Sequence, residues 1–455
     1  MSSQTNVESI YNAEADKQEL RWAFTDGQIP VAVYGLGKMG LPLAAVYAEV
    51  TGNVIGADID PDVVASIERG ESHVDGEPGL DSLVPELVDN KALAAVEDPT
   101  KAASNASVHV IIVPTLIDEQ KQPDLSIIEA VSEEIGGELD SGDVVIVEST
   151  VPPQTGREVI LPILERESDL SLGDFGLAFC PERTASGRAL KDIRGAYPKV
   201  VGGADAESTA VAELIYDEIN SSGVIPTSDI TVAEAVKVFE GLYRDVNIAL
   251  VNELARFTDE LGIDVNEALE TANTAPYVDL HTPGPGVGGH CIPYYPFFLI
   301  HPFETEAPLL KTARKVNDGM PEFTVRKLRE EFDAEGREIQ GSTVLVLGLT
   351  YRPGVKEIRA TPALPIAEQL VELGADVRIV DPLLDDFSEF SGTPTSLKEI
   401  YDCDPDAAVM VTPQEEFDGI EWDRFDPLVV IDGRQTLDLV DTPHRVYTIG
   451  SGLQS

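Results

Sequence analysis

Cysteine is almost missing from this chain: three in 455 residues, Cys180, Cys291 and Cys403, none near another. That excludes a disulfide framework and a paired-cysteine zinc site, so no metal is expected and a reducing, cytoplasmic setting is the default. Long apolar runs are missing too. A run such as residues 144–147 falls far short of the roughly 20 residues that cross a bilayer. The first twenty residues are polar and acidic, so no secretory leader is expected. Positive charge is scarce, with 32 Lys+Arg against 81 Asp+Glu and a net charge of −49. Nucleic-acid backbones and anionic membranes need a basic face, so neither is an expected partner. The acidic residues are spread along the whole chain rather than gathered in a tail. They read as the solvated coat of a halophilic protein, because molar salt shortens the Debye length to roughly 3 Å and screens their repulsion.

What is present is an ordinary globular composition, 43% hydrophobic, in a chain long enough for two or three domains. Residues 1–28 read as an N-terminal extension. From residue 30, β-rich runs at 31–34, 53–57, 108–113, 144–147, 176–179 and 200–202 alternate with helical stretches. Such alternation predicts βαβ units and a mainly parallel sheet, here over residues 29–210. Residues 211–330 differ. A proline-free stretch with helical spacing from about 228 predicts a long, unusually apolar helix that packs between domains or against a partner. A Pro/Gly-dense loop at 281–296 follows, then another helical stretch over about 306–332. Residues 331–455 return to an α/β pattern, with strands expected at 343–347, 376–380, 407–411 and 428–431. Each α/β block opens with a strand and a glycine turn, Tyr34-Gly-Leu-Gly and Leu347-Gly-Leu-Thr.

Four groups of residues carry chemistry. Gly35-Leu-Gly37-Lys38-Met39-Gly40 lies between a strand and a helix. Glycines there permit a tight turn and bring a pyrophosphate close to the free N–H groups of the helix start. The next strand ends at Asp58, near the spacing of about 20 residues at which a carboxylate meets the ribose hydroxyls. A carboxylate repels a 2′-phosphate, so NAD is favoured over NADP; FAD sites share the fingerprint. The second group is Gly284-Pro-Gly286-Val-Gly288-Gly289-His290-Cys291-Ile-Pro293. A thiolate in so bare a loop is a good nucleophile that substrate could approach closely, with backbone N–H groups to hold an oxyanion; a buried, inert cysteine is the competing reading. The third is Pro181-Glu182-Arg183 after a strand, where a carboxylate either faces the ligand crevice or simply pairs with the arginine. The fourth is Lys237 on the long helix, either buried with a task or extending to solvent.

Together these motifs resemble the UDP-sugar and GDP-sugar 6-dehydrogenase family over residues 30–445. The match adds Val113-Pro114-Thr115, Glu148-Ser149-Thr150-Val151-Pro152, Ala313-Arg314 with Asn317-Asp318, and Gly348-Leu-Thr-Tyr351-Arg352 with Arg359. The resemblance implies two Rossmann-like parallel-sheet domains joined by a central helical domain: NAD over residues 29–210, dimerisation and catalysis over 211–330, the UDP portion over 331–455. It implies oxidation of a sugar C6 alcohol to the uronate with two NAD, through a thiohemiacetal and thioester on Cys291. Lys237 would stabilise the oxyanion, Glu182 would serve acid/base work, and Thr150 would place water. Gly35, Gly37, Lys38, Met39, Gly40, Asp58, Thr115, Thr150 and Arg359 would hold the cofactor. Glu182, Arg183, Lys237, Arg244, Asn247, Gly288, Tyr351 and Arg352 would hold the UDP-sugar.

Pro-Glu-Arg with Ser186 in place of a second glutamate, and Gly-Gly-His-Cys, are similar to the N-acetylhexosamine branch. The UDP-glucose branch typically has Pro-Glu-Phe and Gly-Ser-Cys. Ala272-Asn273 leading to His281-Thr-Pro-Gly favours UDP-N-acetylmannosamine as substrate over UDP-N-acetylglucosamine or UDP-glucose. Three departures stand out: Gly241 where the family usually has asparagine, Tyr295 where it usually has aspartate, and Tyr277 where many bacterial relatives have arginine. The first two raise the alternative of a degenerate nucleotide-sugar-binding paralogue. A single-step 3-hydroxyacid dehydrogenase would need neither the cysteine loop nor the second α/β domain.

Overall fold

A computed structural model describes residues 9–118, 120–184 and 187–454. Ser186 therefore lies outside the described residues. The chain forms two compact units: the residues up to Phe239 with Phe297–Pro302, and Glu240–Pro296 with the residues from Phe303 on.

The first unit is an eight-stranded sheet flanked by helices. Its strands are β1 Val31–Tyr34, β2 Val54–Ala57, β3 Leu93–Val96, β4 Val108–Ile111, β5 Val144–Val147, β6 Gly176–Phe179, β7 Lys199–Gly203 and β8 Val224–Pro226. They lie in the order β8-β7-β6-β5-β4-β1-β2-β3, parallel except between β6 and β7. Alternate residues of β1 enter opposite cores, Val31 and Val33 on one face, Ala32 and Tyr34 on the other, as the two-residue strand period requires. Two strands go beyond the sequence reading. Leu93-Ala-Ala-Val is too alanine-rich to read as a strand, yet β2 recruits it as an edge. The sheet also continues past residue 210, where Val224–Pro226 pairs with β7.

The described part of the N-terminal segment belongs to this core. Asp16 caps the helix Lys17–Thr25 through a capping box with Glu19, and Leu20, Ala23 and Phe24 are buried. Tyr11 donates its N–H to Gly142 O at 3.0 Å and its hydroxyl to Asp205 at 2.6 Å.

The second unit holds a seven-stranded sheet: β9 Thr343–Leu347, β10 Asp376–Val380, β11 Thr393–Pro394, β12 Ala407–Met410, β13 Val429–Asp432, β14 Arg445–Thr448 and β15 Gly452–Leu453. The order is β11-β10-β9-β12-β13-β14-β15, antiparallel only at the last pair. The fold is thus two Rossmann-like sheets with a helical segment between them. That segment contains the predicted long helix, Ile230–Ala255, whose residues divide between the two units. The expected helix over 306–332 is two helices, Pro308–Asp318 and Met320–Ala334, because Gly319 and then Pro321 interrupt the backbone ladder. No helix among the described residues is long and apolar enough to cross a membrane.

Candidate active site

In the first unit, the sheet order reverses between β1 and β4, and ligands of open α/β sheets bind in the crevice at that point. Gly35 follows β1 at φ +91°, which a side chain would strain, and its ideal Cβ would lie 3.1 Å from Ile112 O. Gly37 has nothing within 4 Å of its ideal Cβ. Gly37 and Lys38 are exposed, and the helix Gly40–Thr51 starts directly after Met39. Asp58, past β2, accepts from Leu36 N at 2.7 Å and from Asp60 N at 3.0 Å, so the carboxylate is fixed at the turn. Thr115 Oγ1 is buried with no hydrogen-bond partner. An open turn before a helix start, a fixed carboxylate and an unsatisfied hydroxyl fit a dinucleotide.

Ser149 donates to Val113 O at 2.7 Å, placing Thr150 beside the Val113–Thr115 strand end. Glu182 and Lys237 are brought together: Nζ lies 3.7 Å from Oε2, and both side chains are largely buried. Glu182 also accepts from Thr184 N, and Thr184 donates to Met39 Sδ at 3.0 Å. Arg183 donates to Pro198 O at 3.2 Å and covers the Tyr197 ring. Beneath this loop Glu148 is fully buried. Burial pushes its carboxyl up, while Lys199 at 2.6 Å and the Tyr216 hydroxyl hold it down. Glu234, one turn before Lys237, accepts from Gln154 N at 2.6 Å and Gly156 N at 2.7 Å, and burial pushes it up to about 7.

In the second unit, the thiol of Cys291 is exposed. Its carbonyl accepts from Tyr294 N and Tyr295 N, both at 3.0 Å. The glycines before it do allow a close approach, but the approaching groups belong to the chain itself. Ideal Cβ atoms would lie 2.8 Å from Tyr351 Cβ and Ala360 O at Gly288, and 3.0 Å from Tyr351 Cε2 at Gly289. Gly289 N donates to Arg359 O at 2.8 Å, so this N–H is already engaged. His290 bonds Glu357 at 2.7 Å, and the Arg359 guanidinium lies 5.2 Å from the Tyr294 ring centroid.

Tyr351 and Arg352 line a cavity of about 340 Å³ together with Thr282, Pro283, Thr412 and Arg434. Sequence reading missed Arg434. Its hydrogen bonds go to the carbonyls of Val411 at 3.0 Å and Gly286 at 3.3 Å, and burial pushes the guanidinium down to about 10. The available signal was Gly433-Arg434 straight after a fully buried strand ending at Asp432, in a chain poor in arginine. Asn247 spends its amide on loop backbone, donating to Asp279 O at 2.5 Å and accepting from His281 N at 2.9 Å. Arg244 is exposed on the helix; burial, then its charge, pushes His281 down. Asp245, Arg314 and Asn317 form a buried network, and Asn252 accepts from Gly284 N at 2.9 Å, tying the long helix to the start of the cysteine loop.

The glycine loop's neighbour Gly241 is also packed closely. Mid-helix glycine costs about 1 kcal/mol relative to alanine. Here the ideal Cβ would overlap Cδ2 of Tyr295 and lie 3.2 Å from Cγ and Cε2 of the same ring.

Three models of one family match in chain order. These are the UDP-glucose/GDP-mannose dehydrogenase NAD binding domain over residues 29–220, its central domain over 231–319 and its UDP binding domain over 345–439. A UDP-N-acetyl-D-mannosamine dehydrogenase of Pyrococcus horikoshii is 35% identical, covering 90% of this chain and 96% of its own. An NDP-N-acetyl-D-galactosaminuronic acid dehydrogenase of Ralstonia solanacearum is 34% identical, covering 89% and 95%. The solved structure of the Pyrococcus horikoshii UDP-D-ManNAc dehydrogenase superposes with a TM-score of 0.85 at 33% identity, over 93% of this chain and 99% of that one. The chain belongs to the UDP-glucose/GDP-mannose dehydrogenase family, and is an NAD-dependent nucleotide-sugar oxidoreductase.

Proposed function

We infer that the protein oxidises the C6 alcohol of UDP-N-acetyl-D-mannosamine to the uronate in two successive oxidations, through Cys291. The observation that carries the chemistry is the exposed Cys291 thiol on a loop whose flanking backbone is pinned. The substrate follows the relatives named above. NAD supplies a hydride acceptor for each oxidation. Gly35, Gly37, Lys38, Met39, Gly40, Asp58 and Thr115 would hold it, with Arg359 reaching it.

The remaining work belongs to side chains. Tyr351, Arg352 and the part-buried cation Arg434 hold the nucleotide diphosphate, whose negative charge offsets the hydration that burial takes from Arg434. Gly288, Arg244 and Asn247 shape the sugar end. The thiolate of Cys291 attacks the C6 aldehyde and gives a thiohemiacetal; its second oxidation leaves a thioester, which water hydrolyses. Lys237 stabilises the oxygen anion in each addition, Glu182 at 3.7 Å moves protons, Arg183 braces its loop, and Thr150 orders the water. Covalent capture keeps the aldehyde from escaping before the second oxidation.

We place the enzyme in the cytoplasm as a homodimer joined through the central helices. Val232, Phe239, Tyr243 and Leu250 are 44–56% exposed and recur at spacings of seven and four on the long helix, an apolar stripe suited to a partner helix.

The test is NADH yield in molar KCl from limiting UDP-N-acetylmannosamine, with UDP-N-acetylglucosamine, UDP-N-acetylgalactosamine and UDP-glucose in parallel. The galactosamine arm is included because of the Ralstonia relative. Wild type should give two NADH per sugar with the mannosamine epimer, and Cys291→Ala should not complete the second oxidation. Full yield from the variant would overturn the cysteine route; preference for another sugar would reassign the substrate.

A further inference from the structure

Gly241 and Tyr295 are separated in sequence by more than fifty residues, yet they occupy one another's space. Gly241 is buried in the middle of the 26-residue helix Ile230–Ala255. The volume that any side chain would take there is filled by the Tyr295 ring. Tyr295 is 8% exposed, so the ring is seated rather than resting on the surface. Its N–H donates to the carbonyl of Cys291 at 3.0 Å, closing one helical turn that begins at the cysteine.

The other flank of the cysteine is held by a different segment. Glu357 bonds His290, and the carbonyl of Arg359 receives Gly289 N. Ala360 in that segment adopts φ +51°, strain that a well-determined neighbourhood sustains. The turn from Cys291 to Tyr295 is therefore pinned before its first residue by the 357–360 segment and at its last residue by the ring in the helix notch. The thiol between the two pins is exposed.

We propose that Tyr295 is a positioning residue for the Cys291 thiol, and that Gly241 provides the notch in which it is seated. The pair is a single coupled unit: the glycine is needed because the ring is there, and the ring holds the nucleophile's turn because the glycine admits it. The proposal rests on the reading of Cys291 as nucleophile.

The experiment compares Tyr295→Ala, Tyr295→Phe, Gly241→Ala and the double variant Gly241→Ala/Tyr295→Ala. Two readouts are taken on each: kcat and KM for the UDP-sugar, and the alkylation rate of Cys291 by iodoacetamide, followed on the Cys291 peptide. Tyr295→Ala and Gly241→Ala should each lower kcat about tenfold or more, with KM changing less than about threefold, because a displaced nucleophile loses alignment rather than substrate affinity. Tyr295→Phe keeps the ring and should restore both kcat and alkylation rate. The double variant should be no worse than Tyr295→Ala, since the added methyl then has room. Wild-type kcat in Tyr295→Ala, failure of Tyr295→Phe to restore, or additive losses in the double variant would each overturn the proposal. Should Gly241→Ala not fold, Tyr295→Ala and Tyr295→Phe decide alone, as both leave the helix sequence intact. Cys291→Ala run alongside separates the two readings. If it retains two NADH per sugar, the nucleophile reading fails; if it is blocked while Tyr295→Ala is unimpaired, only the positioning role fails.

Discussion

The two sheets begin with the same device and finish it differently. In each, the first strand is followed by a glycine of positive φ, Gly35 at +91° and Gly348 at +85°, and then by a fully buried leucine. In each, an aspartate past the second strand accepts that leucine's N–H at 2.7 Å, Asp58 for Leu36 and Asp381 for Leu349. The glycine sits where the strand order reverses, beside β4 in one sheet and beside β12 in the other. There the likeness stops. The first turn stays open at Gly37 and runs directly into a helix, a start of the kind that suits a pyrophosphate. The second is closed. Thr412 backbone fills the space at Gly348, and Asp381 also takes Thr350 N and Gln414 Nε2 at 3.2 Å. Its helix begins only at Ala363, and the intervening loop instead presents Tyr351 and Arg352 to the cavity. The same strand-turn chemistry thus leaves an open helix start in one unit and a loop lined by side chains in the other.

Four changes would break or sharpen this contrast. The largest effect is expected from Gly348→Ala, which drives a methyl into Thr412 backbone at a φ that alanine resists. It should cost about 3 kcal/mol or more and lower the melting temperature of the second unit, whereas a cost under about 1 kcal/mol would show that the Thr412 backbone does not close this turn. Next is Asp381→Ala, which leaves the buried Leu349 and Thr350 N–H groups without their acceptor and removes one of the two acceptors of the Gln414 amide. About 2–3 kcal/mol should be lost in denaturant titrations. Its counterpart Asp58→Ala should cost only about 1 kcal/mol in the more open turn and should instead narrow the preference for NAD over NADP in affinity measurements. An unchanged preference would remove Asp58 from the cofactor site. The smallest effect on stability belongs to Gly37→Ala, within about 0.5 kcal/mol, since nothing lies near the new methyl. NAD binding should weaken while UDP binding is unchanged, and loss of both would contradict the separation of the two turns.

A pH experiment contrasts two anchors of the long helix. Toward its start, Glu234 receives two backbone N–H groups yet is held up to about 7 by burial, with Asp229 also raising it and Arg157 lowering it. Further along, Asp245 is paired with Arg314 at 2.5 Å. A carboxyl raised in the fold gives stability that is complete below its unfolded value near 4.5 and is lost as pH rises through about 7. Wild type should therefore lose stability relative to Glu234→Gln between pH 5 and 8, by an amount of order 2–3 kcal/mol. A constant difference across that range would refute it.

Much of this architecture could be read from residue order. Strands such as 144–147 and 407–410 are short, wholly apolar and bounded by turn residues, which is what a doubly covered strand must look like. Leu93–Val96 escaped because alanine carries no strand signal and its pairing with β2 is a property of the assembled sheet. At the candidate site, Lys237 and Glu182 were picked out singly, but their 3.7 Å approach joins residues from a strand end and a helix far apart in the chain. Arg434 escaped for the same reason: one arginine after a strand has no chemistry until the fold sets it beside Tyr351 and Arg352 in one cavity wall.

The sequence alone determined the two α/β blocks, the Gly35-Leu-Gly37 turn with Asp58 at its spacing, and a cysteine in a glycine-dense loop, because strand period, glycine spacing and residue chemistry are local properties; the exposure of that cysteine was left to the fold. Only the tertiary structure decided what fills the space the glycines leave. At Gly37 it is nothing, at Gly348 the Thr412 backbone, at Gly288 Tyr351 and the Ala360 carbonyl, and at Gly241 the ring of Tyr295. A missing side chain announces that something comes close; which group does so is set by packing among segments that meet only in the fold.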